Sequence, residues 1–257
     1  MIVDISHRKI TNIHSKADYE TLYQSFVENV RTIETVSSII LCGSLAKNDI
    51  VEGWSDIDII VFCSQTIDSM FLNKFKNAVD LSKKGFEIGL GIDLVNEKEF
   101  FKSKRFGGRP LAMTYEVAAY GKISYGINFL SDINYDSQAS NYINFERKTL
   151  VFAEIHSWRR QYLMTNDNLH QLFFNTTKSL LRILQSEVGP VLELPINSQN
   201  NLNRFRKLYP DHPSIDAIEK AVYIRKHWID FMKDDNLIDK ELVFLIEAVT
   251  TYPVLYG

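Results

Sequence analysis

The chain has 257 residues, of which 45% are hydrophobic and 24% charged, a composition ordinary for a soluble globular protein with room for one large domain or two modest ones. Its net charge of −3 is not segregated: residues 1–135 carry 15 Lys and Arg against 17 Asp and Glu, and residues 136–257 carry 14 against 15, so neither half is a basic arm for a nucleic acid. The N-terminus "MIVDISHRKI" lacks an apolar signal core and no run approaches a membrane span, which together read as a cytoplasmic protein with no membrane partner.

Ser15 followed by Asp18 has the form of an N-cap with an acidic first turn. Tyr19, Leu22, Tyr23, Phe26, Val27, Val30 and Ile33 then recur at helical spacing, predicting an amphipathic helix to about residue 36. "SSIILC" is a short strand, Gly43-Ser44 turns the chain, and "LAKND" is a short helix. The next strand is expected to carry Asp56 and Asp58 within "SDIDIIVF". "SMFLNKFKNAVDLSKKG" reads as a helix closed by Gly85, and "FEIGLGIDLV" as a third strand with Asp93 near its end. A short helix "EKEFFKS", a loop "RFGGRP", a helical "LAMTYEVAAY" and a strand "GKISYG" follow. Cys42 and Cys63 fall on adjacent predicted strands and read as free, buried thiols; two cysteines alone cannot build a zinc site.

From about Asn141 the strand signals vanish. "NYINFERKTLVFAEIHSWRRQYLM", "NDNLHQLFFNTTKSLLRILQSEVG", "SIDAIEKAVYIRKHWIDFM" and "DKELVFLIEAVTTY" are long and periodic enough to be helices, punctuated by Gly189-Pro190 and by Pro210 to Pro213. The fold class expected is therefore an α/β domain, residues 1–135, followed by an all-α helical bundle, residues 136–257, with "SDINYDSQAS" as the linker.

Three pieces of the first half bear on chemistry. Gly43-Ser44 lies between a strand and a helix, where glycine permits close backbone approach and helix amides favour a phosphate; taken alone it is also a common tight turn. Asp56 and Asp58, two apart on a strand, share a face, and two like charges against apolar flanks need compensation, for which a divalent cation is the simplest candidate. Asp93, an acid in an apolar strand beyond a crossover helix, needs either a buried partner or the same cation; with it, the three carboxylates make a ligand set for a hard ion.

"GSLAKNDIVEGWSDIDIIVF" followed by "GIDLV" resembles the nucleotidyltransferase superfamily typified by DNA polymerase β: Gly-Ser, then Asp-x-Asp about a dozen residues later, then one more acid on a following strand. The motif covers roughly residues 39–95. Over the whole length, the order of an α/β domain and a helical bundle is similar to antibiotic nucleotidyltransferases such as the kanamycin and lincosamide enzymes. The resemblance implies a mixed sheet with flanking helices. It implies that Asp56, Asp58 and Asp93 hold Mg2+ at the phosphates of ATP or another NTP, and that Gly43 and Ser44 cradle the β and γ phosphates. An acceptor hydroxyl then attacks the α-phosphate in line and pyrophosphate leaves.

Around that core the roles divide. Lys47 either reaches a phosphate or is a surface helix lysine, and Ser55 either contacts a phosphate or fastens its own turn. By resemblance to the kanamycin enzyme, "VFAEIHSWRRQ" supplies Glu154 as general base and Arg159 as a pyrophosphate contact, with a one-residue shift and no lysine four after Glu154; Asp93 is the alternative base. Glu154 and Trp158 share a helix face, between which an acceptor can lie. Tyr125 reads as a packing residue and "RFGGRP" as a surface loop. "RKLYPDH" loosely resembles the Arg-x-His spacing of helical ribonuclease toxins, but its proline breaks a helix. The expected function is Mg2+-dependent transfer of NMP, AMP above all, to a hydroxyl of a small molecule of the aminoglycoside or lincosamide kind, by a monomer or homodimer. The alternatives are a toxin-like enzyme acting on tRNA or protein, and a degenerate nucleotide-binding partner protein.

Overall fold

The structure is a computed structural model that describes residues 13–106, 111–133, 160–164, 169–188 and 197–250, with the single positions 149, 153 and 157. The chain divides into two compact units, one spanning Asn12–Ser137 and the other built on Gln138–Gly257.

The first unit begins with α1 (Lys16–Val30). Ser15 caps it as a capping box: its hydroxyl accepts from the Asp18 amide while the Asp18 carboxylate accepts from the Ser15 amide. The helix stops at Val30, short of the expected residue 36, because Arg31 to Thr35 turn the chain into β1 (Val36–Cys42). Next come α2 (Gly43–Ala46), β2 (Ile57–Cys63), α3 (Ser69–Ser82), β3 (Leu90–Asn96), α4 (Glu97–Ser103), α5 (Leu111–Tyr120), β4 (Lys122–Gly126) and a 3₁₀ turn over Phe129–Asp132. The strands form one mixed sheet in the order β3-β2-β1-β4, with β2 and β3 parallel and the other two pairs antiparallel.

Alternation sorts the strand residues cleanly between the two faces. Ile57, Ile59, Val61 and Cys63 of β2 pack with Ile39 and Leu41 of β1 against α1 and α3, whose Leu22, Phe26, Phe71 and Phe75 are buried there. Ile60 and Phe62 face the other way with Ile40, Cys42 and Val95, covered by Phe100 of α4, Phe106, Val117 of α5 and Phe129. Phe62 stacks on Phe129 with ring centroids 4.1 Å apart and meets Phe100 edge-on at 5.1 Å. Tyr125 packs on the α1/α3 side. Cys42 and Cys63 are buried and not joined in a disulfide, at opposite ends of the β1–β2 ladder and on opposite faces.

In the second unit the described positions 149, 153, 157 and 160–164 are helical. α6 (Leu169–Glu187) packs against α7 (Ser198–Leu208), α8 (Ile215–Lys226) and α10 (Asp235–Thr250), while α9 (Trp228–Phe231) follows α8 after a break at His227. Phe173 of α6 is fully buried and stacks on Trp228. α7 was not among the expected helices. Its sequence "SQNNLNRFRKL" buries only Asn201, Leu202 and Phe205, and it starts because the Asn197 side chain accepts from the Asn200 amide. No helix among the described residues is long and apolar enough to cross a membrane.

Candidate active site

The register fixes where the acids lie. In the parallel β2–β3 pair Asp58 is opposite Gly91 and Ile60 is opposite Asp93; in the antiparallel β1–β2 pair Asp58 is opposite Cys42. Asp58 and Asp93 therefore project from the same face of neighbouring strands, one pleat apart, on the side lined by Ile40, Cys42 and Ile60. Both are half-buried, as is Asp56. The strand begins at Ile57, so Asp56 belongs to the approach to β2 rather than to the strand itself.

Two glycines make room for Asp58. A Cβ on Gly43 would lie 2.1 Å from Asp58 Oδ2, and a Cβ on Gly91 would lie 2.8 Å from Asp58 Oδ1. The carboxylate thus sits between the turn after β1 and the start of β3. Gly43 also has φ of +67°, a left-handed conformation that glycine adopts without steric cost and that a side chain disfavours. This turn places Ser44 beside the approach to β2: the Ser44 hydroxyl lies 3.5 Å from the Asp56 carbonyl, at the limit of a hydrogen bond, and the Asp49 amide donates to the Ser44 carbonyl at 2.8 Å. Gly91 was not among the residues expected from the sequence. The signal for it was a glycine inside an apolar strand, which commonly marks a close approach.

Lys47 and Ser55 have assigned partners. The Lys47 ammonium donates to Glu116 Oε1 of α5 at 2.6 Å, with the two side chains 16% and 21% exposed. α5 covers the acid-bearing face through Val117, so this ion pair ties the end of α2 to that side of the sheet. The Ser55 hydroxyl, in a buried residue, accepts from the Val51 amide at 3.0 Å; the Ser55 amide donates back to the Val51 carbonyl, and Tyr19 donates to the Ser55 carbonyl. Ser55 thereby fastens the turn that delivers Asp56. Glu154 and Arg159 lie outside the described residues, as do the glycines of "RFGGRP" and most of the expected linker.

The donor set of Asp56, Asp58 and Asp93 is carboxylate throughout, which is the chemistry of a hard divalent ion. Among the described residues no group of three or more His, Cys, Asp or Glu side chains is gathered closely enough to hold a metal. The Asp58 carboxylate fills the room that the two glycines leave, beside the Gly43 turn and across the ladder from the strand of Asp93.

Residues 24–111 match the family model described as Nucleotidyltransferase domain. This segment is a nucleotidyltransferase domain. The match runs from α1 to the start of α5 and takes in Gly43, Ser44, Asp56, Asp58, Gly91 and Asp93, so the chain is a transferase. Within the matched segment Gly43-Ser44 lies on the turn after β1, Asp56 on the approach to β2, Asp58 near the start of β2 and Asp93 on β3. Among solved structures, the spectinomycin adenyltransferase AAD(9) from Enterococcus faecialis, with ATP and spectinomycin, aligns at a TM-score of 0.48 and 12% identity over 92% of this chain and 100% of that chain. No curated protein sequence matches the chain.

Proposed function

We propose that the nucleotidyltransferase domain transfers a nucleoside monophosphate, AMP from ATP in the favoured form, to a hydroxyl of a small molecule, with Mg2+ required. The observation that supports this reading most is the position of Asp58, whose carboxylate lies against the Gly43 turn on the sheet face that also bears Asp93. Asp56, Asp58 and Asp93 are the carboxylates proposed to hold the ion, and they would have to draw together on it, since they are not gathered closely enough in this structure. When bound, a divalent ion neutralises triphosphate charge and stabilises the entering and leaving oxygens of an in-line displacement.

The residues themselves do the rest. Backbone amides at Gly43 and Ser44, with the Ser44 hydroxyl, bind the β and γ phosphates. Lys47 adds a positive charge near the same turn, and Glu116 competes for it. The acceptor oxygen forms a bond to the α-phosphorus as the bond from that phosphorus to the bridging oxygen of the β-phosphate breaks. Pyrophosphate leaves, and the hydroxyl proton passes to a carboxylate, for which Glu154, on the family resemblance, and Asp93 are the two candidates; Arg159 is the candidate pyrophosphate contact on the same resemblance. Positioning and charge stabilisation supply most of the acceleration in such a reaction. An aminoglycoside or lincosamide-type antibiotic is the acceptor class proposed, on the family resemblance.

The test is to incubate the protein with α-labelled NTPs and Mg2+ in parallel with antibiotics, bulk tRNA and lysate protein, and to follow the label. Label in the small-molecule fraction is expected. Label confined to RNA or protein would overturn the acceptor class in favour of a toxin-like enzyme, and absence of Mg·NTP binding by calorimetry would favour a degenerate binding module. Asp58→Asn is expected to abolish transfer with the fold intact.

A further inference from the structure

Glycine is an unfavourable choice inside a β-strand, since it has no side chain to pack and loses more backbone freedom than alanine. Gly91 is nevertheless the second residue of β3, between Leu90 and Ile92, which both pack on the α1/α3 side of the sheet. Neither usual backbone reason accounts for it. Gly91 is not among the residues with positive φ, and the β2–β3 register runs without a bulge from Ile57 opposite Leu90 to Cys63 opposite Asn96. What a side chain would meet is Asp58. An alanine Cβ would stand 2.8 Å from Asp58 Oδ1 and 3.8 Å from its Cγ, with the Asp58 Cα next at 4.0 Å.

We infer that Gly91 is a positioning residue, kept without a side chain so that the Asp58 carboxylate holds its place beside the Gly43 turn. The inference rests on the reading of Asp58 as a metal and nucleotide ligand. The conflict is with the far end of a rotatable side chain, not with backbone, so an alanine is accommodated by swinging the carboxylate rather than by moving the sheet. The same substitution removes a strand glycine, which favours the folded state. Stability and function should therefore respond in opposite directions, a signature that a packing role would not produce.

The experiment compares wild type, Gly91→Ala and Asp58→Asn as full-length protein. The readouts are melting temperature, Mn2+ affinity in the presence of a non-hydrolysable ATP analogue by electron paramagnetic resonance, and label transfer from α-labelled ATP. Gly91→Ala is expected to melt at or above the wild-type temperature while Mn2+ affinity and transfer fall about 10–100-fold, the range seen when groups that orient metal ligands are altered. Binding and transfer within twofold of wild type would overturn the role of Gly91, provided that Asp58→Asn is inactive. A Gly91→Ala protein that melts several degrees lower would also overturn it, because the glycine would then serve the sheet itself. Full transfer by Asp58→Asn would instead remove the reading of Asp58 on which the inference stands.

Discussion

Gly43→Ala tests the geometry around Asp58 in terms of stability alone. A non-glycine residue at φ of +67° carries a penalty of about 1–2 kcal/mol. The new methyl would also lie 2.1 Å from Asp58 Oδ2, 2.9 Å from its Cγ and 3.0 Å from its Cβ, so rotating the terminal oxygens cannot clear it. Overpacking of this kind adds about 1–3 kcal/mol. The sum is a loss of about 2–5 kcal/mol. In an Asp58→Ala background the oxygens and Cγ are gone and only the 3.0 Å approach to Cβ remains, so the same substitution should cost little more than the backbone part, about 1–2 kcal/mol. The coupling between the two sites is then about 1–3 kcal/mol, well above the limit for independent positions. Urea denaturation gives the four stabilities, with hydrogen exchange at β1 and β2 amides isolating the transition of the unit that contains them. Equal costs of Gly43→Ala in both backgrounds, or a cost under about 0.5 kcal/mol in the wild type, would refute the close approach of Gly43 and Asp58.

Further outcomes follow from other contacts. The Lys47–Glu116 pair lies between the exposed and the buried case, so Glu116→Gln or Lys47→Met should cost about 1–2 kcal/mol in denaturation, with a double-mutant cycle showing coupling; additive costs would mean that the pair contributes nothing. Burial holds the His212 imidazole below its ordinary value, against an opposing pull from Glu187. The unfolded chain therefore takes up the proton first: this contribution is fully present above about pH 6.5 and is lost as pH falls below it, and His212→Gln should flatten that slope in melting temperature between pH 7.5 and 5. Burial pushes the Cys63 thiol up to about 12, and Cys42 is buried as well, so a thiol reagent at pH 8 should detect neither in the folded protein and both after denaturation. Rapid labelling of the native protein would contradict the placement of both on the sheet.

What was legible in the sequence was what local chemistry decides. The capping box at Ser15 and Asp18, the helix "EKEFFKS" and the helix "LAMTYEVAAY" are where periodicity and caps put them, and the apolar runs of the three strands are long enough to be read directly. The motif residues Gly43, Asp58 and Asp93 were legible because their order and spacing match a family, and the register then shows Asp58 and Asp93 on one face. Contacts between distant segments were not legible. Lys47 and Glu116 are 69 residues apart, and nothing local to either announces the other. Gly91 is an unusual residue for an apolar strand, but what it approaches is visible only once the β2–β3 register sets it opposite Asp58. α7 escaped because a helix with three asparagines and few apolar residues has weak propensity, and it is held by packing of Leu202 and Phe205 rather than by its own composition.

The central claim, that the Gly43 turn and the Asp58–Asp93 face of the sheet together direct chemistry at the α-phosphorus of a nucleotide, is tested most directly by paired isotopic labels. ATP carrying label at either the α or the γ phosphorus is supplied with Mg2+ and an acceptor mixture to the wild type and to Asp58→Asn. The account predicts that the α label becomes covalently attached to an acceptor, that the γ label is recovered as pyrophosphate, and that neither occurs with Asp58→Asn. Attachment of the γ label, or undiminished transfer by Asp58→Asn, would contradict it.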